Sequence, residues 1–167
     1  MSSYGNAETS LVRATRFNHV SISAVDMEES LRFYTEVFGL ERIPSPDFSG
    51  HVEWLRLGDQ QLHLFLDDGS APERHHISLD VDDFEAAFLK AKELGILEER
   101  TFGASVRELN DGAVQMYLRD PAGNLVEVDW PDVTTLDRSV VTPIHRLADE
   151  RPQSDDAARA SLYFAAD

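Results

Sequence analysis

Three histidines and one glutamate stand out as residues that could work together on a ligand: His19, His63, His76 and Glu127. His19 and His76 open two copies of one pattern. Asn18-His19-Val20-Ser21-Ile22 runs through Asp26 into Met27–Tyr34, and His75-His76-Ile77-Ser78-Leu79 runs through Asp83 into Phe84–Phe88. Neutral imidazoles with one carboxylate suit Fe(II), Mn(II), Zn(II) or Ni(II), and two histidines plus a carboxylate make the facial triad that leaves coordination positions open for chemistry. Serines two residues after each opening histidine, Ser21 and Ser78, keep small polar atoms beside the ligands. A lone strand histidine is more often structural than metal-binding. Four such groups at equivalent places in a repeat are a different matter. His51, His75 and His145 fall outside that symmetry and are read as structural.

Alternation decides which face each strand residue takes. In strand 16–23 it places Val20, Ile22 and Ala24 opposite His19, Ser21 and Ser23. In strand 61–66 it places Leu62, Leu64 and Leu66 opposite Gln61, His63 and Phe65. In the second copy His76, Ser78 and Asp80 oppose Ile77, Leu79 and Val81. Further strands are expected at 40–43, 51–57, 97–101 and 113–119, and a last one in which Val126 and Val128 oppose Leu125, Glu127 and Asp129. Asp26 with Glu29 forms a capping box for a helix whose apolar stripe is Met27, Leu31, Tyr34 and Phe38, ended by Gly39. Asp82 or Asp83 caps a second helix carrying Phe84, Phe88, Ala91 and Leu94. Gly58-Asp59, Asn110-Asp111-Gly112 and Asp120-Pro121-Ala122-Gly123 are turns.

Each copy therefore reads β-α-β-β-β. The fold expected is α+β: two tandem βαβββ modules making a curved mixed sheet, with helices on the outer faces and a metal cleft between the free faces. Residues 1–15 form an arm and 16–131 one domain, with module one at 16–68 and module two at 73–131. Residues 132–167 form a C-terminal tail in which Ser154-Asp155-Asp156 caps a short helix carrying Ala158, Leu162 and Phe164.

The 167 residues suffice for one domain with a full core. The formal charge of −16 argues against nucleic acid, because no basic patch could neutralise phosphates. Cysteine is absent, so disulfides and thiolate metal sites are excluded. No long apolar run points to a membrane, and a cytoplasmic protein is the default expectation.

The His-(Val/Ile)-Ser repeat and Asp120-Pro121-Ala122-Gly123-Asn124-Leu125-Val126-Glu127 resemble the vicinal oxygen chelate superfamily over about residues 15–131. That superfamily includes glyoxalase I, fosfomycin-resistance transferases, methylmalonyl-CoA epimerase, bleomycin-binding proteins and extradiol ring-cleaving dioxygenases. The resemblance implies one divalent metal ion per site, Fe(II) favoured, and a small substrate whose adjacent oxygens chelate it. It also implies a homodimer. The order His19, His63, His76, Tyr117, Glu127 is most similar to extradiol dioxygenases. Their iron ligands would fall on His19, His76 and Glu127, their acid–base histidine on His63 and their substrate-contacting tyrosine on Tyr117. The histidine in the first half of the extradiol signature is missing, since Glu108, Leu109 and Asn110 occupy that region. The alternatives are a glyoxalase I-like lyase or epimerase, in which His63 is a fourth ligand, and a non-enzymatic antibiotic-binding protein.

Overall fold

The computed structural model describes residues 13–69 and 71–163. Most of the expected arm and Phe164 therefore lie outside the described residues. Strand β1 (His19–Ala24) leads to helix α1 (Met27–Arg32), then β2 (Glu41–Ile43), β3 (Val52–Leu57) and β4 (Gln60–Leu66). The second module repeats the order with β5 (His76–Asp80), α2 (Phe84–Leu94), β6 (Val106–Glu108), β7 (Val114–Arg119) and β8 (Leu125–Trp130). The mixed α+β class and the two modules are as the sequence predicts. The mixed sheet is divided between the modules. Hydrogen bonding divides the strands into a four-stranded sheet, β1-β4-β3-β2, and a five-stranded one whose first four strands are β5-β8-β7-β6. In both, the first strand pairs in parallel with the last, His19 opposite Gln61 and His76 opposite Leu125. That register fixes which side chains are neighbours across each free face.

The helices form where the caps predict. The Asp26 carboxylate accepts from the Glu29 amide at 3.0 Å, and Asp83 does the same for Ala86 at 2.9 Å, each satisfying an amide that the first turn leaves unpaired. After Arg32 the backbone widens into a π-helical turn over Phe33–Val37. The extra residue per turn departs from the 3.6 period, so Phe33 and Tyr34 both turn inward and Phe38 is left half-buried. Both helices and the inner faces of both sheets share one core, centred on Tyr34, Phe84, Phe88, Leu55, Leu64 and Met116.

Two other expectations fail for physical reasons. Residues 97–101 form no strand beyond a bridge between Leu97 and Leu118. Glu98 folds its buried carboxylate back onto the amides of Arg100 and Thr101 at 2.6 and 3.1 Å, so the segment turns where a ladder would need it extended. The segment after Trp130 is more than a tail. Val133, Leu136 and Val141 enter the core, and a two-residue strand β9 (His145–Arg146) adds to β6 in parallel. Short helices α3 (Leu147–Glu150) and α4 (Asp155–Ala158) follow, the latter capped by Ser154. Beyond them Leu162 donates its amide to Asp111 at 2.9 Å, and the Tyr163 hydroxyl donates to Asp80 at 2.6 Å. Among the described residues no helix is long and apolar enough to cross a membrane.

The modules are joined through the turn between β7 and β8. Buried Asp120 accepts from the Tyr34 hydroxyl at 2.8 Å, the Asn124 side-chain amide at 2.7 Å, and the backbone amides of Ala122 and Asn124 at 3.0 and 2.7 Å. Asn124 also donates to the Ser23 carbonyl of β1 at 2.7 Å. Tyr34→Phe removes one bond to a buried carboxylate and is expected to lower unfolding free energy by about 1–2 kcal/mol. Asn124→Ala removes the bridge to β1 as well and is expected to cost more. Urea denaturation of both variants checks the order, and an unchanged midpoint in either contradicts it.

Candidate metal centre and active site

The free faces carry the residues that the alternation predicts there. On module one, His19 of β1 stacks on His63 of β4 with ring centres 4.2 Å apart and planes 16° apart. The other face of His63 is covered by Trp54 of β3 at 4.4 Å and 5°, because Trp54 stands opposite His63 in the antiparallel register. His63 is 6% exposed. Its Nε2 lies 2.8 Å from the Gln61 side-chain oxygen. Burial, with the His19 imidazole alongside as the lesser cause, holds its pKa below the ordinary value of 6.5. The ring is a neutral base at physiological pH.

On module two, His76 Nε2 lies 3.6 Å from Glu127 Oε2. The Arg74 carbonyl is 2.9 Å from His76 Nδ1, which favours the tautomer whose proton is on Nδ1 and leaves Nε2 with its lone pair. Glu127 is buried, and its other oxygen accepts from Gln115 Nε2 at 2.7 Å. Gln115 Oε1 in turn accepts from the Tyr117 hydroxyl at 3.0 Å. The chain Tyr117–Gln115–Glu127 fixes the carboxylate so that Oε2 turns toward His76. Tyr117 is itself buried, and desolvation, with nearby Glu127 adding to it, pushes its phenol above the ordinary range. It is a permanent donor. Asp129 stands one pleat along β8 from Glu127. Burial, reinforced by the Glu127 charge, raises its pKa to about 7, and it accepts from the Ser78 hydroxyl.

The five predicted site residues thus fall into two groups, His19 with His63, and His76 with Glu127 and Tyr117. Strands β1 and β5 flank an open groove of about 630 Å³ that runs past Ser21, Ser23, His76, Ile77 and Asn124. Among the described residues no three His, Asp or Glu side chains are close enough to share one ion. The fit to a metal differs between the groups. Bonds of about 2.1 Å to one ion put a nitrogen and an oxygen donor roughly 3–3.5 Å apart, so the His76–Glu127 pair is nearly in place. The stacked pair is not, because in-plane lone pairs of nearly parallel rings do not meet within a bond length. One of those rings must turn for both to bind an ion. The donor set itself, imidazole and carboxylate, suits a borderline divalent metal.

Over residues 16–128 the sequence matches the Glyoxalase/Bleomycin resistance protein/Dioxygenase superfamily. The chain belongs to that superfamily. It is 29% identical to human mitochondrial methylmalonyl-CoA epimerase and 30% identical to the bovine protein, each over 132 residues spanning 68% of this chain and 73% of the relative. It is 30% identical to Glyoxylase I 4 of Arabidopsis thaliana over 126 residues, 68% of this chain and 70% of that one. Among solved structures it shares the fold of the fosfomycin resistance protein FosX from Listeria monocytogenes, with a TM-score of 0.58 at 15% identity over 70% of this chain and 93% of the other. It shares it also with a glyoxalase/dioxygenase from Nostoc punctiforme, with a TM-score of 0.57 at 21% identity over 73% and 97%.

Trp54, Gln61 and Gln115 are the contacts that sequence reasoning missed. Gln61 and Gln115 stand two residues from His63 and Tyr117 on the same strand faces, which was a usable signal. Trp54 needed the β3–β4 register. The His63 environment makes a direct prediction. The folded protein holds fewer protons on this ring than the unfolded chain, so its contribution to stability is complete above the unfolded value of 6.5 and is lost as pH falls through that value toward the folded one. Titration of the imidazole resonances is expected to give His63 a midpoint below 6.5, moving up in His19→Ala. A midpoint at or above 6.5 in the unaltered protein contradicts this environment.

Proposed function

We propose that this protein is a metal-dependent enzyme of the epimerase and isomerase kind, moving a proton at the carbon beside a carbonyl of a small substrate with adjacent oxygens. The observation that carries the reading is His63, a buried neutral imidazole on the free face, beside His19. Neighbouring oxygens of a substrate would bind to a divalent ion held by His19, His76 and Glu127. When bound, such an ion stabilises negative charge developing on those oxygens. His63 takes the proton from carbon as a general base, with its pKa already below the working pH. Protonated His63 returning the proton to the adjacent carbon isomerises the substrate; inversion instead requires solvent water to protonate the opposite face, with His63 then giving its proton up to solvent. Neither outcome requires an oxidant. Tyr117 and Gln115 hold Glu127 oriented throughout.

The curated relatives, named as epimerases and a glyoxalase, support proton transfer over the ring cleavage that the residue order suggests. A homodimer belongs to the same reading. Among the described residues β1 pairs only with β4 and β5 only with β8, and Phe17 lies exposed just before β1. A second copy is the partner expected to cover that apolar side chain. A sedimentation mass of one chain at micromolar concentration contradicts it.

The decisive experiment incubates metal-loaded protein with methylmalonyl-CoA in D2O, and separately with catechol under an oxygen electrode. Deuterium entering the substrate carbon without oxygen uptake is the expected result. Oxygen uptake with catechol, and no exchange, overturns it. His63→Asn is expected to keep about one ion per chain and to lose about 10²–10⁴-fold in turnover. His76→Ala is expected to weaken metal binding by 10-fold or more. Metal lost in step with activity in His63→Asn makes His63 a fourth ligand and removes it as the base.

A further inference from the structure

The turn between α2 and β6 is fixed more firmly than a surface loop needs. Besides its bonds to the Arg100 and Thr101 amides, Glu98 accepts from Arg119 Nε at 3.1 Å. Arg119 also donates to Thr101 Oγ1 at 2.7 Å and to the Glu73 carbonyl at 3.0 Å. Gly103 closes the turn at φ +83°, its amide donating to the Glu99 carbonyl at 2.7 Å. A side chain would strain that backbone.

All this holds one apolar side chain in place. Phe102 belongs neither to the core cluster nor to the residues packed against it. It is half-buried on the free face, its ring centre 4.7 Å from Tyr117 and 6.2 Å from His76, edge-on to the histidine. A phenyl ring in that position adds nothing to the core. It lies beside a candidate ligand and beside the tyrosine that orients Glu127.

The carbonyl of Phe102 accepts from Arg107 Nη2 at 2.9 Å, and the same nitrogen donates to Glu150 Oε2 at 2.7 Å. Glu150 ends α3, which β9 positions by pairing His145 with Arg107. The C-terminal segment therefore reaches the site through one arginine, whose side chain is 12% exposed.

We propose that Phe102 sets substrate specificity, forming an apolar wall for an aromatic or other bulky apolar group next to the chelating oxygens, and that Glu150 positions it through Arg107. The inference rests on the proposed chelating function. Its test uses hydroxamates, which present two adjacent oxygens on a methyl or a phenyl group. Calorimetry on the metal-loaded full chain is expected to show benzohydroxamate binding about three- to tenfold more tightly than acetohydroxamate, the size of one aromatic contact. Phe102→Ala is expected to abolish the preference while changing acetohydroxamate affinity less than about twofold. Phe102→Leu keeps part of it, and Glu150→Gln weakens benzohydroxamate alone.

A readout free of metal accompanies this. The His76 ring-proton resonances of the metal-free protein are expected to shift in Phe102→Leu, and in the same sense in Glu150→Gln, with little change in thermal midpoint. Equal binding of the two hydroxamates by the unaltered protein, or a preference that survives Phe102→Ala, overturns the wall and leaves chelation standing. An unshifted His76 in Glu150→Gln overturns the positioning role. Failure of both hydroxamates to bind overturns the chelating function and the wall with it.

Discussion

The carboxylate of Asp120 is the point at which the two modules are tied to each other. Four donors reach it, filling both oxygens. Burial nonetheless raises its pKa, the bonds only partly offsetting the loss of solvent. Such a group is tolerable only while its partners stay in place. Tyr34 comes from the helix of module one, while Asn124 sits at the head of β8 and also holds the Ser23 carbonyl of β1. One turn thus sets how the free faces stand to each other, and with them the distance between the histidines of one module and the His76–Glu127 pair of the other.

Much of this was legible in the sequence because it is local. Period-two alternation placed His63 and Glu127 on free faces, since a one-residue slip would turn Leu62, Leu64, Val126 and Val128 out of the core. The caps Asp26 and Asp83 and the Asp120–Gly123 turn are short-range chemistry and are found as expected. What was not legible depends on long-range pairing. Nothing near Asp120 announces Tyr34, 86 residues away. Nothing in 132–145 shows periodicity, yet Val133, Leu136 and Val141 complete the core, because single apolar residues in a wrapping segment leave no repeat to detect. The turn at 98–103 misled for the opposite reason. Its composition suits a strand, and only the demand of the buried Glu98 carboxylate for nearby amides bends it away.

The two free faces treat their histidines differently, and this bears on which does what. His76 is open to solvent on one side and has its Nδ1 occupied by a carbonyl, an arrangement that leaves Nε2 turned toward Glu127 Oε2. His63 is sandwiched between two rings and screened from water. Desolvation favours the uncharged ring, which a base requires before it acts. The same feature that makes His63 a poor surface cation is what the proposed function asks of a proton acceptor.

The rings of stacked His19 and His63 do not converge on one point, and magnitudes say what undoing the stack would cost. An aromatic pair contributes about 0.5–1.5 kcal/mol beyond its burial, whereas binding of a structural divalent ion by imidazole and thiolate donors is worth of order 10 kcal/mol. Even a much weaker catalytic site exceeds the cost of unstacking one ring. His19 is the ring freer to move, because it is exposed and, among the described residues, its Nδ1 is held by the neighbouring Asn18 side chain alone, at 3.0 Å. His63 is clamped by Trp54 and bonded to Gln61. On the proposed function, a turn of the His19 ring alone would free its nitrogens for an ion while His63 stayed in place as the uncoordinated base.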